Sequence, residues 1–287
     1  MGMVVKGGLV LEGGGMKGIY TAGVLDVLMD EGMQFSHCYG VSAGVCHLAS
    51  YLSNQKKRAY RISTEYLKDK NYCSFYSLLK TGDMFGADLC YNRIPNELDP
   101  YDYKAHKQYP GTGYAVVTNV ETGVEEYIPL LEMHRDIWAI QASSSMPLVS
   151  KMVENDGKKY LDGGVTDAIP IQKSIADGNH KNLIVMTKEV GYRRKPSSAL
   201  KLIRIKYKKY PNLVKAMEQR HIRYNATLDF IEKEVAEGRA ILLQPQKKYD
   251  VGRIEKDKAK LDILYQAGIE DAKAAIPTLK EFFAHCI

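Results

Sequence analysis

The sequence predicts an α/β fold with a mainly parallel sheet, and two observations carry that expectation. Short apolar runs end at glycines, and each is followed by a stretch whose apolar residues recur at helical spacing. Gly7–Glu12 reads as a buried strand running into the turn Gly13-Gly14-Gly15. From Met16 to Glu31 the residues Ile19, Val24, Leu25, Val27 and Leu28 share a helical face, and Gly32 supplies the stop. Cys38–Val41 is a second strand, and Ala43–Leu52, with Val45, Leu48 and Ala49 on one side, a second helix.

The later elements follow the same logic. Tyr114–Val120 and Val124–Pro129 form a hairpin around Glu121-Thr122-Gly123, and Arg135–Ser143 is a helix. A second hairpin joins Lys151–Glu154 to Lys159–Leu161 through Asn155-Asp156-Gly157. Ile171–Ala176 is a helix and Leu183–Lys188 a buried strand. Beyond Gly191–Ser198, rich in Arg, Lys, Pro and Ser, three helices are expected at Ser198–Lys208, Leu213–Glu237 and Lys256–His285, with one short strand at Ile241–Gln244.

A chain of 287 residues that is 45% hydrophobic can bury a substantial core, and its 26% charged residues are those of a globular protein. No apolar run approaches the ~20 residues that cross a bilayer. Lys6 interrupts the early apolar residues, so no export signal is read and the chain is expected to be cytoplasmic. Met1-Gly2 begins a myristoylation pattern, but Lys6 stands where that pattern needs Ser or Thr. Five cysteines without a CxxC pair are expected as free thiols, with Cys38 and Cys46 as packing residues beside Ser42. Residues 193–260 hold 19 Lys and Arg against 8 Asp and Glu in a chain of formal net charge +6. The remainder is therefore net negative, and the C-terminal third presents a different surface.

Three motifs could carry chemistry. In Gly40-Val41-Ser42-Ala43-Gly44 a strand reverses sharply into a helix, and the flanking glycines let backbone segments approach closely. The serine is thereby presented at the strand's C-terminal end as a nucleophile elbow, with the following helix aiming its amides at the site. Gly13-Gly14-Gly15-Met16-Lys17-Gly18 can point successive amides into one concavity. Gly13, Gly15 and Gly18 formally satisfy a dinucleotide fingerprint, but the second strand ends in Ser42 instead of an acidic residue. An oxyanion hole uses the same amide geometry and also accounts for the serine. Asp162-Gly163-Gly164 ends the strand Lys159–Leu161 and, taken alone, reads as a turn capped by aspartate.

Together these motifs resemble the patatin-like phospholipase family, whose signatures occur in this order: a glycine loop with a cation, here Gly13–Gly18; a G-x-S-x-G elbow, here Gly40–Gly44; and D-G-G, here Asp162–Gly164. Ala142-Ser143-Ser144-Ser145-Met146-Pro147 is similar to the family segment that precedes the aspartate. The resemblance covers about residues 7 to 190, with Lys17 where Arg is commoner in the family. It implies a three-layer α/β/α fold over residues 1–190, with residues 191–287 as a helical, basic extension packed on the same domain. It also implies a Ser42–Asp162 dyad, with Ser42 as nucleophile, Asp162 as general base and the backbone amides of Gly13, Gly14 and Gly15 as oxyanion hole.

A histidine base would be the commoner arrangement in serine hydrolases. His37 is expected at the start of its strand, His47 on the helix pointing away from the turn, and the other five histidines in no motif. Asp167 is expected to cap the helix that follows Ile169-Pro170. No cofactor, metal or nucleic acid is expected. The substrate is a lipid or other acyl ester, and the basic, apolar stretch Leu200–Tyr210 suggests peripheral docking on an anionic membrane, against the simpler expectation of a solvated helix with its apolar side in the core. An acyltransferase using the same serine, and a non-catalytic lipid-binding module, are the competing functions. Head group, acyl length and oligomeric state carry no sequence signal.

Overall fold

The computed structural model describes residues 3–284 and residue 286. Met1-Gly2 and the expected helix end at His285 lie outside them. The chain runs β1 (Met3–Leu11), a 3-10 turn Gly15–Gly18, α1 (Ile19–Asp30), β2 (Met33–Gly40), α2 (Ala43–Leu52), α3 (Arg58–Glu65) and α4 (Phe75–Thr81). A π-type helix over Leu89–Leu98 leads to α5 (Tyr103–Lys107), β3 (Thr112–Asn119), β4 (Glu125–Pro129), α6 (Met133–Ser143), β5 (Val153–Asn155) and β6 (Lys158–Asp162). A 3-10 turn Gly163–Val165 then precedes α7 (Ile171–Ala176), β7 (Asn182–Val185), α8 (Leu200–Lys206), α9 (Pro211–Ala236), β8 (Ala240–Leu243) and α10 (Lys258–Phe282).

The strands form one sheet of order β5-β6-β3-β2-β1-β7-β8, with β4 paired to β3. β3, β2, β1, β7 and β8 run parallel, while β4, β5 and β6 join antiparallel. The fold is thus α/β with helices on both sides of a mostly parallel sheet.

Side-chain alternation along the central strands explains the layering. Leu9, Leu11, Cys38, Leu183 and Val185 point to one face, where α1, α2 and α10 cover them. Val10, Tyr39, Ile184 and Met186 point to the other, under Ile171 of α7 and Tyr224, Leu228 and Ile231 of α9. The basic C-terminal third therefore contributes to both layers: α10 packs on α1, α9 closes the opposite face, and β8 extends the sheet beside β7.

α2 and α7 have the bounds that periodicity predicts. β2 begins at Met33, earlier than the apolar run Cys38–Val41, because buried Met33 and Phe35 alternate with the more exposed Gln34 and Ser36. Residues 58–107 hold four helical segments that the sequence does not announce. Each is only 5 to 10 residues long, and the longest contains Pro95, so none sustains a readable helical period.

Candidate active site

β2 stops at Gly40 and α2 starts at Ala43, leaving two residues to reverse the chain. Ser42 takes φ 54° and ψ −124° there, a conformation that costs a non-glycine residue about 1–3 kcal/mol and persists only when its surroundings hold it. Two contacts do so. The Ser42 amide donates to the buried Ser143 Oγ at 2.9 Å. A Cβ on Gly44 would lie 2.6 Å from the Leu11 carbonyl oxygen, so only glycine lets α2 start this close to β1. Gly40, on the other side of the serine, lies equally tightly against the Val45 backbone.

The glycine loop is anchored by the residue just before it. Glu12 is buried and accepts from Tyr224 Oη at 2.6 Å, from the Thr187 amide at 2.7 Å and from Thr187 Oγ1 at 3.0 Å. Thr187 Oγ1 also donates to the Gly13 carbonyl at 3.1 Å. The next amide inside the 3-10 turn, that of Met16, donates to the Arg253 carbonyl at 3.0 Å. Among the described residues the amides of Gly13, Gly14 and Gly15 have no hydrogen-bond partner. Gly13 is packed against the elbow itself: an added Cβ would fall 2.7 Å from Ser42 Cβ.

Asp162 ends β6 and is buried. Its Oδ1 accepts the Gly164 amide at 2.7 Å, its carbonyl accepts Thr118 Oγ1 at 2.9 Å, and Gly163 sits tightly against the Val116 carbonyl. Burial raises the carboxyl above the ordinary carboxylate range. The Arg220 charge, the Gly164 amide, the neighbouring Ser42 hydroxyl and the Arg253 charge act against that rise. The Asp162 amide donates to the Ser145 carbonyl at 2.9 Å, so the C-terminal end of α6 holds the elbow through Ser143 and the aspartate through Ser145, two residues on. The elbow and the aspartate are thus tied to the same short stretch of chain.

Ser42 stands where two cavities meet. One is largely apolar and is lined by Ala49, Ile62, Tyr72, Phe85, Ile137 and Ile140. The other, open to solvent like the first, is also lined by Gly13, Gly14, Gly15, Asp162 and Gly164, with Leu148, Ala199 and Ile203 in its wall.

The alternative bases and nucleophiles are placed as follows. His37 lies within β2, three residues before its end, and its Nδ1 bonds Asn179 Oδ1 at 3.0 Å. His47 lines the apolar cavity with Ser42, where it was expected to point away. Burial holds its pKa down to about 4, and among the described residues it forms no hydrogen bond to Ser42. Asp167 accepts from Tyr127 Oη at 2.7 Å and from the Ile169 amide at 3.2 Å, two residues before α7 begins, so it braces that turn. The five cysteines are free thiols. Burial raises Cys46 to about 11 and Cys38 to about 12, so both stay protonated at neutral pH. Among the described residues no group of three His, Cys, Asp or Glu side chains could share a metal ion.

The sequence singled out Ser42, Asp162 and the glycines, and the fold brings them together. It did not single out Glu12, Ser143 or Arg220. Glu12 adjoins the glycine loop and Ser143 lies inside the quoted Ala142–Pro147 segment, so their neighbourhood was a signal. Arg220, whose Nε donates to the Gly164 carbonyl at 2.5 Å, lies on α9 with no local motif to mark it.

A mostly parallel sheet carrying a serine on a strained strand-to-helix turn, faced by a glycine loop and a buried aspartate, defines an α/β protein with a serine elbow. The chain belongs to the patatin-like phospholipase family, which it matches over residues 9–174. Residues 210–284 match a separate domain of unknown function, DUF6363. The chain is 27% identical over 184 residues to the uncharacterized protein YjjU of Escherichia coli K12, covering 62% of this chain and 51% of that protein. It is 26% identical over 192 residues to the probable lipid hydrolase 463L of Invertebrate iridescent virus 6, covering 61% of this chain and 65% of that one. The chain therefore spans about half of the first relative and just under two thirds of the second. The solved structure of VipD from Legionella pneumophila matches with a TM-score of 0.48 and 13% identity, over 96% of this chain and 67% of that one.

Proposed function

We propose that this chain is a serine acyl-ester hydrolase of the phospholipase A or lipid acyl hydrolase type, acting in lipid degradation or remodelling. The observation that carries this reading is the position of Ser42, strained on its turn where two cavities meet, with the buried Asp162 lining one of them beside it. Family membership and the likeness to a probable lipid hydrolase support it.

In this reading the acyl chain lies in the apolar cavity, and Ser42 Oγ attacks the ester carbonyl while Asp162 takes its proton. The partnerless amides of Gly13, Gly14 and Gly15 stabilise the oxyanion, and Asp162 returns the proton to the leaving alcohol. Water then releases the acyl group by the same path. An ordinary carboxylate is a weak base, so a raised pKa helps Asp162 and the oxyanion donors must supply much of the rate. A fluorophosphonate is expected to label wild-type protein at one equivalent on Ser42, with turnover of an ester and phospholipid panel. No native labelling would leave a lipid-binding module, and transfer to an added alcohol in preference to water would make the protein an acyltransferase.

Docking on a lipid surface is part of the proposal. No helix among the described residues is long and apolar enough to cross a membrane. On α8, Ile203 is buried in the core while Leu202 and Ile205 are 54% and 70% exposed among Lys201, Arg204 and Lys206. On α4, Phe75 and Leu79 are 73% and 88% exposed. Both helices grip the rim of the open cavity: Tyr207 Oη, just past α8, accepts the Leu148 amide at 2.9 Å, and Met84, just past α4, donates its amide to the Val149 carbonyl at 2.8 Å. Replacing Leu202 and Ile205 together by Ser is expected to weaken co-sedimentation with anionic vesicles at least tenfold, since each buried apolar side chain contributes about 1.5–3 kcal/mol. Unchanged binding, or equal binding of the wild type to neutral and anionic vesicles, overturns the docking proposal.

A further inference from the structure

Three arginines and one lysine converge on the open cavity that holds Ser42 and Asp162. Lys188 follows β7, Arg194 lies in the loop before α8, Arg220 is on α9, and Arg253 is in the loop between β8 and α10. All four line the cavity, and Asp162 is the single carboxylate that does so among its lining residues. Every one of these cations lies beyond residue 174, where the family match ends.

Surface cations of the same region are neutralised by partners: Arg193 pairs with Asp229 and Glu232, and Arg239 with Glu234 and Glu237. Among the described residues the four cavity cations form no such pair. Arg194 lies 4.1 Å from the centre of the Tyr224 ring, and its buried Nε has no hydrogen-bond partner. Arg220 spends Nε on the Gly164 carbonyl, and Arg253 is tied to the glycine loop only through its main chain. Burial, with Lys17, Arg253 and Arg194 nearby, brings Lys188 down to about 8 although the Glu12 carboxylate opposes the fall, and burial with Arg194 and Arg253 brings Arg220 down to about 10 against Asp162. Against these four cations stand two buried carboxylates, Asp162 in the cavity wall and Glu12 behind the glycine loop, which leaves excess positive charge in a partly dry site, and an anionic ligand with several acceptor oxygens relieves it.

We propose that Lys188, Arg194, Arg220 and Arg253 form a phosphate-binding subsite, so that the chain favours acyl esters bearing an anionic phosphate over neutral glycerides and over head groups that carry their own cation. The proposal rests on the reading of Ser42 as the hydrolytic nucleophile. The acyl chain enters the apolar cavity, the ester lies at Ser42, and the phosphate lies in the open cavity against the four cations. A cationic head group brings its charge into the same basic wall and is repelled. Hydrolysis consumes one water and yields a fatty acid and a phosphate-bearing alcohol.

The test uses three hexanoyl esters that stay monomeric in water, so attraction to a charged surface does not enter: hexanoyl glycerol 3-phosphate, hexanoyl glycerophosphocholine and monohexanoylglycerol. With the full chain, kcat/KM for the first is expected to exceed both others by about tenfold or more. In the Arg194→Gln, Arg253→Gln double variant that ratio is expected to fall toward one. Equal rates on the three esters in the wild type overturn the subsite and leave the hydrolase reading intact. Inhibition by inorganic phosphate without discrimination among the esters assigns the cations to free phosphate and overturns the head-group proposal. Absence of turnover on all three, together with absence of fluorophosphonate labelling, sinks the hydrolase reading instead. Calorimetric titration of Ser42→Ala with glycerol 3-phosphate then decides the subsite separately, and no binding there overturns it.

Discussion

Asp162→Asn is expected to lower kcat/KM about a thousandfold while the fold is kept, because the amide retains an acceptor for Gly164 but cannot take the Ser42 proton. Ser42→Ala is expected to lose at least as much, and the double variant no more than the deeper single one, since the two groups act as a unit. The pH profile gives a second readout. A general base works ionised, so kcat/KM is fully expressed above the folded pKa of Asp162 and falls as pH drops through it. Burial raises that pKa, placing the acid limb above the ~4 of an ordinary carboxylate. Arg220 opposes the rise, so Arg220→Gln moves the limb to higher pH. Full activity in Asp162→Asn combined with loss in His47→Gln would reject the dyad and hand the role to histidine.

The second large effect is expected at Gly13. In Gly13→Ala the new methyl would fall 2.7 Å from Ser42 Cβ and 2.8 Å from the Val41 carbonyl oxygen, and neither can move without disturbing the elbow. The loop must retreat, taking with it the amides proposed for the oxyanion. Losing one oxyanion donor typically costs about a hundred- to a thousandfold in kcat, and Gly13→Ala is expected to fall in that range. Overpacking also costs about 1–3 kcal/mol of stability, so circular dichroism and a thermal melt accompany the kinetics. A KM effect with unchanged kcat would mean that the loop holds the substrate and not the developing charge.

Much of this molecule was legible in its sequence because the signals are local. Hydrophobic period and glycine stops marked β1, α1 and α2, the two hairpins and α9. Ser42 could be read because a strand, a sharp turn and a helix leave their mark within fifteen residues, from Cys38 to Leu52. The short helices between Arg58 and Lys107 were not legible, since pieces of one to three turns carry too few apolar positions to show a period and take their shape from the core they cover. The histidine on α2 was misplaced for a similar reason: helical spacing gives a direction around an axis, while the cavity beside it is made by distant segments such as the one ending at Tyr72 and Phe85.

The sequence by itself determined the fold class and the family and singled out Ser42, Asp162 and the glycine loop as candidates, because those rest on short motifs whose backbone needs are met within a few residues. Only the tertiary structure decided what surrounds them. Ser143 reaches the elbow across 101 positions of sequence, and Tyr224 reaches Glu12 across 212. Arg194, Arg220 and Arg253 come from three separate segments to one wall beside Asp162. No periodicity records such meetings, since they follow from how α9 and the last loops pack over the sheet, and a side chain's partner is set by packing and not by spacing. The basic excess of the C-terminal third was visible as composition, and the fold turns part of it inward, onto the proposed catalytic serine.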